Sequence, residues 1–203
     1  IFCREKFSED HKAIEQLINE FARDKIFPNV FNLDKLNEKL SKSLIQEMGS
    51  LGLIGVDAPE KYGGSELDKI SACIIAEGVS RGGSASFGCT FGVQTAIGSL
   101  GLVFFGTPEQ KKKYLPSLMK GEKIAAYGLT EPSSGSDALS AKSSAVLSED
   151  GRYYILNGEK QFISNGAWAD VYTILAQVDG NKFSGFIVER GTEGFTIGAE
   201  EKK

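Results

Sequence analysis

Through the first hundred and twenty or so residues, apolar positions recur at helical spacing in clusters closed by glycine or proline. Ile14, Leu17, Ile18, Phe21 and Ala22 fall on one face of a helix that Ser8 can cap and that Pro28 ends or follows. Leu36, Leu40, Leu44, Ile45 and Met48 repeat the arrangement until Gly49 and Gly52 interrupt it, and Asp57 to Gly64 is a loop by composition. Ile70, Cys73, Ile74 and Glu77 mark a third helix ahead of Gly82 and Gly83. Ser84 to Phe105 carries no charge and is long enough to span a bilayer. Thr90, Gln94 and Thr95 interrupt it, however, and Gly88, Gly92, Gly98 and Gly101 suit close backbone approach, so we read it as one buried core helix. Thr107-Pro108-Glu109-Gln110 then has the chemistry of a capped helix start, and the helix runs to about Met119 with Gly121 just beyond it.

From Lys123 the period changes. β-branched and aromatic residues now come in short runs separated by turn chemistry: Tyr153 to Leu156 between Glu149-Asp150-Gly151 and Asn157-Gly158, then Val171 to Val178 and Phe183 to Val188 around Asp179-Gly180-Asn181. The pattern predicts a multidomain α and β chain, with an all-helical domain over 1–122 followed by a small antiparallel β-barrel or sandwich over 123–203. The junction falls between Gly121 and Ile124.

Composition narrows the chemistry. A net charge of -4 with interspersed acids and bases offers no clustered positive field for nucleic acid, and Lys111 to Lys113, the one basic run, diverge around a helix. Cys3, Cys73 and Cys89 form no C-x-x-C and suit free thiols in a reducing compartment. The single histidine, His11, sits in the first helix pattern, where a capping or surface role fits; it leaves little for a Ser-His-Asp triad or a histidine metal site, and no metal ligands are assigned. No G-x-G and no Gly-Lys-Ser/Thr occurs, so any nucleotide cofactor is held without a dinucleotide fingerprint or a Walker loop.

The densest chemistry lies after Ile124-Ala125-Ala126-Tyr127, where Gly128 to Ser140 reads Gly-Leu-Thr-Glu-Pro-Ser-Ser-Gly-Ser-Asp-Ala-Leu-Ser. Such a loop can present backbone N–H groups and hydroxyls to an anion or a heteroaromatic edge, though serine-rich turns are also ordinary surface loops. In order and spacing it resembles the first sequence motif of the acyl-CoA dehydrogenase family. Further landmarks in family order are Leu51-Gly52-Leu53, Pro59 with Tyr62-Gly63-Gly64, Lys113-Tyr114-Leu115-Pro116, and Leu156-Asn157-Gly158 with Lys160, Ile163 and Ser164-Asn165-Gly166. Pro132 to Asp137, Phe186 to Arg190 and Glu201-Lys202-Lys203 look closest to the very-long-chain branch.

The resemblance implies an N-terminal helical domain, a middle β domain and a C-terminal four-helix domain, the last expected beyond this stretch together with the family's glutamate base, so that no catalytic residue is assigned here and the 203 residues are expected to be inactive alone. It implies FAD as cofactor, α,β-dehydrogenation of acyl-CoA thioesters in fatty-acid β-oxidation, electron-transfer flavoprotein as acceptor, and a homodimer or homotetramer. The flavin-facing residues it points to are Tyr127, Leu129, Thr130, Gly135 and Ser136, then Phe162, Ile163 and Ser164, with Ser136 also approaching the acyl-CoA. Phe162 and Ser164 depart from the Trp and Thr that many members carry there. Two other readings stand beside this one: an acyl-CoA oxidase-like flavoenzyme, and a non-catalytic interaction module on the same scaffold. The expected compartment is the cytoplasm for a bacterial protein and the mitochondrial matrix for a eukaryotic one.

Overall fold

A computed structural model describes residues 3–180 and 182–201. Contacts group the chain into two compact units, Ile1–Lys123 and Ile124–Lys203. The first is helical. Its long helices are α1 (Glu9–Phe21), α3 (Glu38–Ser50), α4 (Lys69–Arg81), α5 (Ala85–Thr95) and α7 (Pro108–Met119), with short α2 (Val30–Asp34) and α6 (Leu100–Phe105) between them. Local chemistry sets the helix ends. The Ser8 hydroxyl accepts from the His11 N–H while His11 Nδ1 accepts from the Ser8 N–H, so the lone histidine completes a capping box and also reaches Asp68 through Nε2. Thr107 and Gln110 form a second box, and Gly121 follows α7 with φ +66.

Pro28 follows the first helix: after Phe21 the chain loosens into a π turn over Ala22–Ile26 and a 3-10 turn over Phe27–Asn29 before α2, and the Asn29 side chain donates to the Lys25 carbonyl at 2.9 Å. Three other helical expectations change. On α4 the buried face is Ser71, Ile74, Ile75, Gly78 and Val79, whereas Cys73 and Glu77 are exposed. Gly78 belongs there because a Cβ would lie 2.5 Å from Ile18 Cγ2, so α1 and α4 meet nearly backbone to side chain. The uncharged stretch is two helices rather than one. It breaks at Ala96 to Ser99, where the Ser99 hydroxyl donates to the Gln94 carbonyl, and the fully buried Gln94 amide donates to Leu118 O at 2.9 Å and Lys123 O at 3.0 Å. Ala85–Phe105 has the length and apolarity of a membrane span, with half of it buried. Phe87, Phe91, Val93, Leu102 and Val103 face the core, but Cβ atoms at Gly88, Gly92 and Gly101 would meet open space, against the expectation of close approach.

The second unit is a five-stranded mixed sheet, not a closed antiparallel barrel: β1 (Ala125–Gly128), β2 (Ser144–Leu147), β3 (Tyr154–Asn157), β4 (Val171–Val178) and β5 (Lys182–Glu189). Adjacent strands β2–β3 and β4–β5 pair antiparallel, as their turn sequences predict. Of the second turn, Asp179 and Gly180 have positive φ and Asn181 lies outside the described residues. Along the other edge of β4, β1 pairs parallel from Ala125↔Val171 to Gly128↔Ile174, and β2 pairs parallel at Ser144↔Gln177 and Ala145↔Val178. A parallel pair needs a long crossover, and residues 129–170 provide it. Gly158 is not a hairpin turn; it allows close approach, since a Cβ there would lie 2.2 Å from the Ser143 hydroxyl. Buried Ala125, Ala126, Ala145, Val171, Tyr172, Ala176 and Val188 form the core, and the Tyr172 hydroxyl donates to Gly166 O and Ala169 O, each at 2.9 Å. Val146, Leu147, Tyr154, Ile155 and Leu156 on the β2–β3 hairpin are exposed.

Candidate functional site

The crossover from β1 to β4 carries both stretches singled out in the sequence, and hydrogen bonds tie them together. Gly128 ends β1 in close contact with β4, where a Cβ would sit 2.6 Å from Ile174 Cδ1. The chain then passes through half-buried Leu129 and Thr130 into a tight turn, in which Glu131 and Ser134 exchange backbone N–H···O bonds of 2.9 and 3.1 Å. The Ser134 and Ser140 hydroxyls donate to Asp137 O, which closes the rest of the loop on itself. Gly135 and Ser136 are left exposed on that loop.

The second stretch is stitched to the first on both sides of Phe162. Before it, the Gln161 N–H donates to Thr130 O at 2.8 Å and Lys160 Nζ donates to Leu129 O at 3.1 Å. After it, the Asn165 amide donates to Ala125 O at 3.1 Å. Between these anchors Phe162 takes a left-handed backbone, φ +58, with 65% of its surface exposed. A bulky aromatic held left-handed and facing outward is strained, and such strain persists where the surroundings enforce it. Ile163 is half-buried beneath Gly166, while Ser164 is exposed.

Of the eight residues expected to face a cofactor, Leu129 and Thr130 are thus joined to the segment carrying Phe162, Ile163 and Ser164, whereas Gly135 and Ser136 stand on the loop beyond the turn. Tyr127, half-buried in β1 opposite Thr173, has its phenol pKa raised by burial. The hydroxyls of Thr130, Ser136 and Ser164 have no hydrogen-bond partner among the described residues, so they are open to an added group. An exposed ring, open hydroxyls and clear space around Gly135 fit a flat, polar-edged ligand such as an isoalloxazine. A shallow hollow of about 630 Å³ lined by Phe27, Pro28, Val30, Phe31, Asp34, Lys35 and Gly83 lies in the helical unit and shares none of these residues. We weigh the crossover above it, because only the crossover combines strain with open polar groups.

Beneath the wall lies an ion pair that residue order alone does not reveal, in which Glu131 holds the loop in shape. Glu131 and Lys160 are 4% and 9% exposed and meet at 2.7 Å. Glu131 also accepts from the Lys142 N–H at 2.5 Å and the Ser143 N–H at 2.9 Å. Burial pushes its carboxyl pKa up, but the hydrogen bonds from Lys160, Ser143 and Lys142 outweigh that and bring it to about 2. A carboxylate so fully engaged is a poor proton acceptor. In the sequence Lys160 stands after Asn157-Gly158-Glu159 among the landmarks in family order, and nothing there pairs it with Glu131.

The family model of the acyl-CoA dehydrogenase N-terminal domain matches residues 8–122, and that of the middle domain matches residues 126–203. A probable acyl-CoA dehydrogenase of Bacillus subtilis (strain 168) is 50% identical over all of this chain and 34% of its own length. The mitochondrial very long-chain specific acyl-CoA dehydrogenase of Macaca fascicularis is 42% identical over 94% of this chain and 32% of its own. The crystal structure of acyl-CoA dehydrogenase complexed with FAD from Bacillus anthracis superposes with a TM-score of 0.95 at 50% identity, over 100% of this chain and 34% of that one. The chain therefore spans about a third of the length of these relatives. Two domain models in order, covering most of its residues, place the chain in the acyl-CoA dehydrogenase family.

Proposed function

We propose that this chain supplies the flavin-facing wall of an FAD-dependent acyl-CoA dehydrogenase. The observation that carries the reading is the Gln161 N–H to Thr130 O bond, which joins the two stretches the family resemblance assigns to the flavin. In this assignment the Leu129 backbone and the Thr130 hydroxyl would hold the pyrimidine side of the flavin, where donors stabilise negative charge as it develops. Phe162 would pack against the flavin, the Ser164 hydroxyl would serve its N5 side, Ser136 would hold the pyrophosphate and approach the acyl-CoA, and Tyr127, Gly135 and Ile163 would border it. FAD, when bound, is the acceptor of the β hydride of the acyl thioester.

The chain's own residues bind and orient; none is assigned the proton abstraction at the α carbon. Glu131 directly follows Thr130, and its engagement with Lys160 and two backbone N–H groups argues against that role. The base, electron-transfer flavoprotein as acceptor and the oligomer are assigned by family resemblance. The test is a titration of the purified chain with FAD, followed by flavin absorbance and fluorescence. Saturable uptake, weakened in Thr130→Val and Ser164→Ala, is expected, and absence of uptake refutes the wall. Turnover of an acyl-CoA with an artificial electron acceptor refutes the absence of a base from these residues.

A further inference from the structure

We propose that Lys160 is a positioning residue for the flavin wall: paired with Glu131, its ammonium holds the Leu129 carbonyl and so fixes the Leu129–Thr130 peptide and the Thr130 hydroxyl relative to Phe162 and Ser164. The proposal rests on the wall assigned above.

Three observations support it. Lys160 Nζ lies between two acceptors from the first stretch, Glu131 Oε1 at 2.7 Å and Leu129 O at 3.1 Å, so one side chain grips that stretch on either side of Thr130. The next residue, Gln161, donates its N–H to Thr130 O at 2.8 Å, which makes three consecutive carbonyl or carboxylate acceptors, at 129, 130 and 131, answer to two consecutive residues. Both charged groups are almost wholly buried, where a hydrogen bond between ions is strong and directional and where either partner alone is costly. The pair also reaches across the crossover: Glu131 accepts from Lys142 and Ser143, which lead directly into β2. A donor on the Leu129 carbonyl further polarises the peptide whose N–H belongs to Thr130, making that N–H a better donor. Lys160 touches neither flavin nor substrate in this scheme. It acts through Leu129 and Thr130.

Stability and positioning separate in three variants of the whole chain. Lys160→Met strands a buried carboxylate and lowers the melting temperature in any account. Lys160→Met with Glu131→Gln removes both charges but leaves one acceptor oxygen where Glu131 takes the Lys142 and Ser143 N–H groups on separate oxygens, so it recovers only part of the melting temperature and lacks the donor to Leu129 O; Glu131→Gln alone shares the lost acceptor and keeps that donor. The expected result is that the double variant melts no lower than Glu131→Gln alone yet binds FAD about tenfold or more weakly than it does, with shifted visible bands of the bound flavin. A double variant that binds FAD within twofold of Glu131→Gln alone with an unchanged spectrum overturns the proposal and leaves the flavin wall standing. If the wild-type chain takes up no FAD, the assignment of the wall fails instead, and amide exchange decides the clamp: faster exchange at Thr130 and Gln161 in the double variant than in Glu131→Gln alone supports it, and unchanged exchange overturns it.

Discussion

Replacing Phe162 by glycine and by alanine separates the strain at this residue from the contacts of its ring. At φ +58 a side chain with a Cβ costs about 1–2 kcal/mol that glycine does not incur. Glycine returns roughly 0.5–1 kcal/mol of that through the greater freedom of the unfolded chain. With 65% of Phe162 exposed, only about a third of its burial is at stake, roughly 0.5–1 kcal/mol, and both variants lose it alike. The terms nearly cancel for Phe162→Gly, which is expected within about 1 kcal/mol of the wild type, whereas Phe162→Ala keeps the strain and falls below the glycine variant by about 1 kcal/mol. The assay is urea denaturation followed by the fluorescence of Trp168, the single tryptophan, which lies in the same unit as Phe162 and therefore reports that unit's unfolding. Both variants should bind FAD more weakly, so that glycine restores stability but not affinity. An alanine variant as stable as the glycine variant, or more so, refutes the claim that the backbone here is strained.

Other perturbations follow from the same physics. Glu131 has a pKa lowered from 4.5 to about 2, so its contribution is complete above pH 4.5 and is lost as the pH falls toward 2; at 1.36 kcal/mol per unit this is about 3 kcal/mol, which pH-dependent denaturation should find in the wild type and not in Glu131→Gln. Gln94→Leu removes the donor to Leu118 O and Lys123 O in a fully buried position and should cost roughly 1–3 kcal/mol in the helical unit by chemical denaturation. Gly78→Val forces Ile18 away from α4 and should destabilise by about 1–3 kcal/mol in the same assay, with Cys73→Ala on the exposed face as a near-neutral control.

Features written in neighbouring residues were legible in the sequence. Ser8, Thr107 with Gln110, and Gly121 reveal helix ends because a cap is made within three or four residues of the backbone it satisfies. The β4–β5 hairpin was legible for the same reason. The mixed sheet was not, since β1 and β4 pair across residues 129–170 and nothing local distinguishes a strand with a parallel partner from one with an antiparallel partner. Small residues also misled: Gly78 and Ser71 share the buried face of α4 with Ile74, Ile75 and Val79, where the apolar stripe was sought through Cys73 and Glu77. At the site, the ordered pattern of Gly128 to Ser140 pointed to the loop, and family order pointed to Phe162, Ile163 and Ser164. Lys160 stood among the landmarks in family order but without a role, because lysines are usually solvated, and only the fold reveals that its ammonium is enclosed by Leu129 and Glu131.

The pairing of β4 also sets an order of assembly. Its hairpin with β5 closes over a short turn, whereas its parallel pairing with β1 must first bring together the ends of a long crossover, and the entropy of that closure delays it. Leu129, Thr130 and Phe162 all lie inside that crossover. The hairpin should therefore form early and the two tied stretches late, so that in a refolding experiment amide protection appears across β4 and β5 before it appears at Gln161, and the left-handed turn at Phe162 is among the last conformations the unit acquires.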